Sequence, residues 1–337
     1  MSDDNRLLDV LTREGVLLNV SVRFWRAAKK LQAEDLGLDP SDVTDRLISL
    51  GHKKLLPRED LAAFALIESR AHALVEANTF PFLNGLGHFL PNRKLAEVTA
   101  KLNAMEAEFK TAQADFTDRY SRLRASAITE WREAARKLAH AGADQVVAGI
   151  ENAFPSGNRL DRYFTFAVNL FQIRVPERLE QDLISAAGQQ EIIAARQQAA
   201  QEAREKITAG VEGFVADCVA SLREQTAQLC DDMLQSMRDG KTSVHQKTLN
   251  RLVAFIEQFK ALNFAGDQQL EERLEAVRKQ FLSRTAEDYR DDDKARARLQ
   301  NGIKGLADAA RELANADSRE IVERFGQMGA RKFNMAA

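Results

Sequence analysis

The sequence predicts a mainly α protein, and three observations carry that prediction. Only 6 prolines and 17 glycines punctuate 337 residues, so long stretches lack the residues that break helices. Apolar residues make up 45% of the chain and charged residues 29%, enough to build a core and a solvated surface. Two long stretches, one beginning near Asn92 and one near Pro176, carry apolar side chains at helical spacing. The expected architecture is a helical N-terminal head over 1–91, a long antiparallel helical hairpin or coiled coil over 92–240, and a C-terminal helical bundle over 241–337 that packs on the head or the hairpin. At most a small β-hairpin is expected beside the helices.

The head begins ambiguously. "VLLNVSVRFW" alternates as a strand does, whereas the residues after Phe24 space their apolar groups as a helix does. "LDPSDVTDRLISLG" reads as a helix: Asp39 caps it, Pro40 suits its first turn, Leu38 staples to Val43, and Gly51 ends it. "LLPREDLAAFALIESRAHALVEAN" repeats the design, with Pro57 at the start, Glu59 and Asp60 at the positive end, and Leu61, Phe64, Ile67, Ala71 and Leu74 on one face. The head closes with "NTFPFLNGLGHFLP". Asn84-Gly85 reads there as a tight turn and Phe80, Phe82 and Phe89 as apolar plugs, so the segment is a connector first.

From Asn92 to about His140, Leu95, Val98, Leu102, Met105, Phe109, Ala112, Phe116 and Leu123 follow a seven-residue repeat, then the register shifts to Ile128, Trp131, Ala135 and Leu138. Such a seam calls for a comparably long helix to cover it. The segment from Pro176 to Gly240 is the expected cover, with a stripe through Leu179, Leu183, Ala187, Ile193, Ile207, Val211, Phe214, Cys218, Leu222, Leu229 and Met233. Its middle, "GQQEIIAARQQAAQEAREK", is polar on most faces and reads as an arm projecting into solvent. Between the two helices, residues 151–175 read either as a strand pair or as a short buried helix. Helices follow over 243–263, 267–289, 295–316 and 318–328, and the tail "GARKFNMAA" reads as frayed.

The chemistry-bearing residues are sparse. The 5 histidines never reach zinc spacing, and 2 cysteines cannot complete a common structural zinc site, so no metal is expected. Cys218 and Cys230 stand 12 residues apart in a helix, about 18 Å, too far for a disulfide. No P-loop is present, and "NGLG" follows no clear strand, so no nucleotide cofactor is expected either. No catalytic residue is assigned, and the chain reads as a non-enzyme. The 48 basic and 50 acidic side chains leave a net charge of −2, which removes any global pull toward nucleic acid or anionic lipid. No apolar run approaches the ~20 residues that span a bilayer, and "MSDDNRLLDV" lacks the basic-then-apolar order of a signal peptide. A cytoplasmic location and no membrane partner follow as expectations.

Two local surfaces remain as candidates. His52, Lys53, Lys54 and Arg58 form a basic turn suited to an anion or an acidic partner, against the plainer reading of helix-dipole compensation; Phe82 and His88 of the connector join them as candidate partner-binding residues. The alternative function, a nucleic-acid-associated helical protein, would use Arg119, Arg122, Arg124, Arg132, Arg136 and Lys137, although Asp118, Glu130 and Glu133 dilute that face. A pore former or toxin is a weaker alternative, because no stretch supplies a hydrophobic tongue. A homo-oligomer is compatible with the heptads, which can equally be satisfied within one chain.

The order "KLLPREDLAAFALIESRAHALVEANTFPFLNGLGHFLP", followed by a heptad helix containing "FTDRYSRLRASAITEWREAA", resembles a bacterial and phage family of unknown function, numbered 3150 among such domains, over about residues 45–180. Members of that family look like coiled-coil-rich accessory proteins, often encoded beside a MoxR-like or cobaltochelatase-like AAA+ ATPase and a von Willebrand factor A protein. The resemblance implies a protein partnership, with this chain as adaptor or structural accessory subunit of such a system on a mobile element or phage. It carries over no catalytic residue, cofactor or metal.

Overall fold

The computed structural model describes residues 3–33, 50–85, 87–138, 143–172, 189–239, 244–290, 292–316 and 319–333. The helix expected over 38–51 falls almost wholly outside them, as do the start at Pro176, the stripe through Leu179, Leu183 and Ala187, His140 and the stop at Gly240. In chain order the elements are α1 (Asp3–Glu14), β1 (Gly15–Arg23), β2 (Ala28–Lys30), β3 (His52–Lys54), a 3-10 turn (Arg58–Leu61) running into α2 (Ala62–Asn78), β4 (Phe80–Phe82) and β5 (Gly87–Pro91). They continue as α3 (Asn92–Leu138), α4 (Ala143–Ala153), a 3-10 segment (Gly157–Tyr163), β6 (Thr165–Phe171), α5 (Gln189–Asp239), α6 (Gln246–Leu262), α7 (Gln268–Phe281), α8 (Ala286–Arg290), α9 (Asp293–Asn315) and α10 (Arg319–Phe333).

The fold is mainly α, yet its β content exceeds the small hairpin that composition predicts. One sheet has the order β4-β5-β1-β6, and β2 pairs with β3 separately. The alternating "VLLNVSVR" is strand β1. The helix expected after Phe24 is absent: the chain passes through Ala27 at φ +46° and enters β2. Among the described residues of 151–172 the structure has the end of α4, a 3-10 segment and the strand β6, in place of a strand pair or a separate buried helix.

The chain divides into two compact units that are discontinuous in sequence, whereas the periodicity predicts the consecutive segments 1–91, 92–240 and 241–337. The first comprises Met1–Leu18, Asn78–Ala96 and Leu170–Ala337, the second Asn19–Ala77 and Glu97–Asn169.

In the first unit, α1 buries Leu7, Leu8, Val10 and Leu11, a spacing of one helical face. It stops at Gly15, where a Cβ would meet the Leu90 carbonyl oxygen and the Phe89 ring at 2.5 Å, so only glycine lets β1 begin this close to β5. β1 runs antiparallel to β5 with Gly15 opposite Pro91 and Leu17 opposite Phe89. β5 runs antiparallel to β4 with Phe80 opposite Phe89 and Phe82 opposite Gly87. The three phenylalanines plug the core as expected: Phe82 meets Phe214 at 4.8 Å, Phe89 meets Phe264 at 4.8 Å, and Phe80 meets Phe264 at 5.7 Å. Aromatic pairs at such edge or tilted geometries add to the burial of the rings themselves.

α5 is continuous, and Val211, Phe214, Cys218, Leu222, Leu229 and Met233 of its predicted stripe are buried. Their cover comes from α9, through Leu299, Ile303, Leu306 and Ala310, and from α1 and α10. The heptad pattern predicts α3 in that role. Periodicity marks which face is buried, not which element buries it. In the same unit Arg223 and Asp267 form a buried ion pair. The Arg223 Nε donates to Asp267 Oδ2 at 2.7 Å and its Nη1 donates to the Leu313 carbonyl at 2.5 Å. The other carboxylate oxygen caps α7 by accepting from the Leu270 N–H at 3.3 Å.

In the second unit the heptad face of α3 is buried, and among the described residues its cover includes aromatic rings from several short elements. Phe64 of α2 meets Phe109 at 5.3 Å, Phe116 at 5.9 Å and Phe164 at 4.9 Å. Trp25 packs edge-on against Phe116, Tyr120 and Phe154 at 6.4, 5.9 and 5.8 Å. The Tyr120 hydroxyl donates to the Pro155 carbonyl at 2.6 Å, and burial pushes its pKa up to about 12. Leu61 of the 3-10 turn and Phe64, Ile67 and Ala71 of α2 are buried as the sequence predicts, with Leu74 half-buried.

Candidate functional site

The site with the most chemical content lies in the second unit, where the chain leaving β3 passes α3. Leu55 and Leu56 are buried, and Pro57, at φ −54°, sets the entry to the 3-10 turn. Along α3, Ala127, Trp131 and Ala134 fall one above the other at four- and three-residue steps. Two alanines flanking an indole leave a gap that longer side chains would fill. The result is a groove of about 320 Å³ lined by Lys54, Leu55, Leu56, Pro57, Ala127, Glu130, Trp131 and Ala134. That volume lies at the lower end of the range that holds small ligands or a single anchoring side chain. The Trp131 indole N–H donates to the Lys54 carbonyl at 2.9 Å, so the groove's two walls are tied together and the ring is held as a wall. Two exposed charged residues of opposite sign, Lys54 and Glu130, are among the lining.

Lys54 also ends a second feature. β2 and β3 pair antiparallel with Ala28 opposite Lys54, Lys29 opposite Lys53 and Lys30 opposite His52. The Leu55 N–H extends the ladder to the Ala27 carbonyl at 2.7 Å, and the Leu31 N–H reaches the Gly51 carbonyl at 3.0 Å. Gly51, at φ +78°, takes the left-handed conformation that this approach needs. Four lysines and a histidine thus occupy six paired positions with no acid among them. The flanking backbone bonds and the burial of Leu55 and Leu56 support the pairing.

The predicted partner-binding residues separate between the units. His52, Lys53, Lys54 and Arg58 lie in the second, on β3 and the 3-10 turn, beside the groove, with His52, Lys54 and Arg58 exposed. Phe82 and His88 lie in the first. Phe82 is 1% exposed, a core side chain with no free surface, and His88 is half-buried with Nδ1 at 3.2 Å from the Thr79 hydroxyl.

The basic helix face is partly consumed locally. Arg119 is paired with Asp115 at 2.7 Å, Arg132 with Glu151 at 3.6 Å, and Arg124 donates to the Glu151 carbonyl at 3.4 Å while lying over the Phe154 ring. Arg122, Arg136 and Lys137 are exposed. Sequence reasoning missed Lys29, Lys30 and the groove role of Trp131. The dipeptide Lys29-Lys30 was a visible signal, hidden only by reading that stretch as helix. Among the described residues no three His, Cys, Asp or Glu side chains gather as a metal-holding group.

The model of the family described as "Protein of unknown function (DUF3150)" matches residues 12–290. The chain belongs to the DUF3150 family. The family match takes in the whole groove and the lysine-bearing strand pair, and it ends ahead of α9. No curated protein and no solved structure matches this DUF3150 member.

Proposed function

We propose that the protein is a non-enzymatic interaction protein, an adaptor or structural accessory subunit of a MoxR-like AAA+ ATPase and von Willebrand factor A system carried by a mobile element or phage, acting in the cytoplasm. The groove against Trp131 is the observation that carries a docking role. It offers apolar walls fixed by a hydrogen bond, with charged residues of opposite sign in the lining, the layout of a pocket that takes an anchor residue from a partner. Family membership supports the identity of the partner, through the gene neighbours that the sequence resemblance implies. No helix among the described residues is long and apolar enough to cross a membrane. The polar start of α5, where Gln198 and Gln201 bond Glu202 and Glu205 one turn on, is assigned the extended arm.

A nucleic-acid role has less support, because Arg119, Arg124 and Arg132 of the basic helix are already engaged. Co-expression of the chain with the neighbouring ATPase and von Willebrand factor A protein, followed by affinity purification with and without nucleotide, tests the adaptor reading. Stoichiometric co-elution supports it, and failure to associate in both nucleotide states removes it.

A further inference from the structure

The lysine-bearing strand pair and the groove share Lys54, and together they specify the chemistry of what docks there. We propose that this surface binds an acidic peptide segment carrying one large apolar side chain: the side chain enters the groove against Trp131, and the flanking carboxylates lie over Lys29, Lys30 and Lys54. The proposal rests on the interaction-protein reading and names the kind of partner it implies.

Two observations select this occupant. Lys29, Lys30, His52 and Lys54 are exposed, and the strand pair contains no acid, so a complementary ligand is anionic. The groove beside them is walled by Leu55, Leu56, Pro57 and an indole, which reward an apolar side chain and offer nothing to a phosphate.

A nucleic-acid backbone fits less well. Non-specific duplex binders neutralise about 6–10 phosphates, whereas this surface presents few cations and includes the acidic Glu130. A peptide meets both features at once, with its anchor side chain in the groove that Lys54 and Glu130 help to line.

The test is fluorescence anisotropy on the full chain at low and physiological salt. The probes are a labelled synthetic peptide of Asp and Glu around a central Leu-Phe pair, the same peptide with Ser-Gly at its centre, and a labelled DNA duplex. Expected results are saturable binding of the first peptide, weakened by salt, and affinity lower by roughly tenfold or more for the Ser-Gly peptide, since a buried apolar side chain is worth that much. Ala134→Trp, which fills the groove, and the exposed double substitution Lys29→Glu/Lys30→Glu should each weaken binding by about tenfold; circular dichroism confirms that both variants fold, and the strand-pair variant carries the test if the groove variant does not.

Absence of saturable binding, equal affinity for the two peptides, indifference to both variants, or tighter binding of the duplex would each overturn the proposal. So would peptide binding that appears only after Glu34, Asp35, Asp39, Asp42 and Asp45, the acids in the sequence joining the two strands, are changed to their amides, because the occupant would then be the chain itself. Peptide binding without ATPase co-elution would support this proposal and sink only the adaptor reading; co-elution without peptide binding would do the reverse.

Discussion

Replacing Arg223 by methionine breaks the buried Arg223–Asp267 ion pair of the first unit from one side. Arg223 is 3% exposed and Asp267 2%. The methionine keeps much of the arginine stem's packing and removes the guanidinium, so the Leu313 carbonyl loses a donor and the Asp267 carboxylate loses its cation while keeping the Leu270 N–H at 3.3 Å. Breaking a buried pair from one side costs about 3–5 kcal/mol, because the surviving charge stays desolvated. Against a typical total stability of about 5–15 kcal/mol, that is a large fraction.

The companion variant Asp267→Asn keeps a side-chain oxygen to cap α7 and deletes the charge. Combined with Arg223→Met it should recover at least about 1.5 kcal/mol relative to the sum of the single losses. Urea unfolding followed by far-UV circular dichroism measures this. Tryptophan fluorescence provides an internal contrast, since Trp25 and Trp131 both belong to the second unit. A loss below about 1 kcal/mol for Arg223→Met, or strict additivity in the double variant, would refute the reasoning.

Phe82→Ala should destabilise by about 3–5 kcal/mol, the cost of emptying a ring-sized site in a core; a negligible shift in the denaturation curve would return Phe82 to the list of docking residues. Asp292 caps α9 by accepting from the Ala295 N–H at 2.9 Å, and that bond is the main cause holding its carboxyl below the usual aspartate range. Because the folded pKa is the lower one, the cap's contribution is present above the unfolded pKa and fades as pH falls through the folded value. NMR titration should show the depressed pKa in the native protein, and Asp292→Asn should remove that part of the acid dependence while leaving α9 capped.

Strongly periodic helices were legible in the sequence. The heptad residues Val98, Leu102, Met105, Phe109 and Phe116 are buried. What covers each face was not legible, because α3 is met by rings such as Trp25, Phe64 and Phe164 brought from distant parts of the chain. Short elements were the other loss. "AKK" and "HKK" have no periodicity of their own and become strands only through each other. α1 left a trace in the spacing of Leu7, Leu8, Val10 and Leu11, overshadowed by the alternation that follows Gly15. Of the candidate site, His52, Lys53, Lys54 and Arg58 were visible as a basic cluster; the groove was not, because Trp131 is 77 positions from the carbonyl it holds.

The interleaving of the two units has a consequence for biosynthesis. Phe80, Phe82 and Phe89 leave the ribosome long before Phe214 and Phe264, the rings they pack against. At roughly 5–20 residues per second the delay is on the order of ten seconds. During that interval the nascent chain presents an unsheltered aromatic cluster, so its yield in a cell should depend on chaperones that shield such surfaces until the later helices are made.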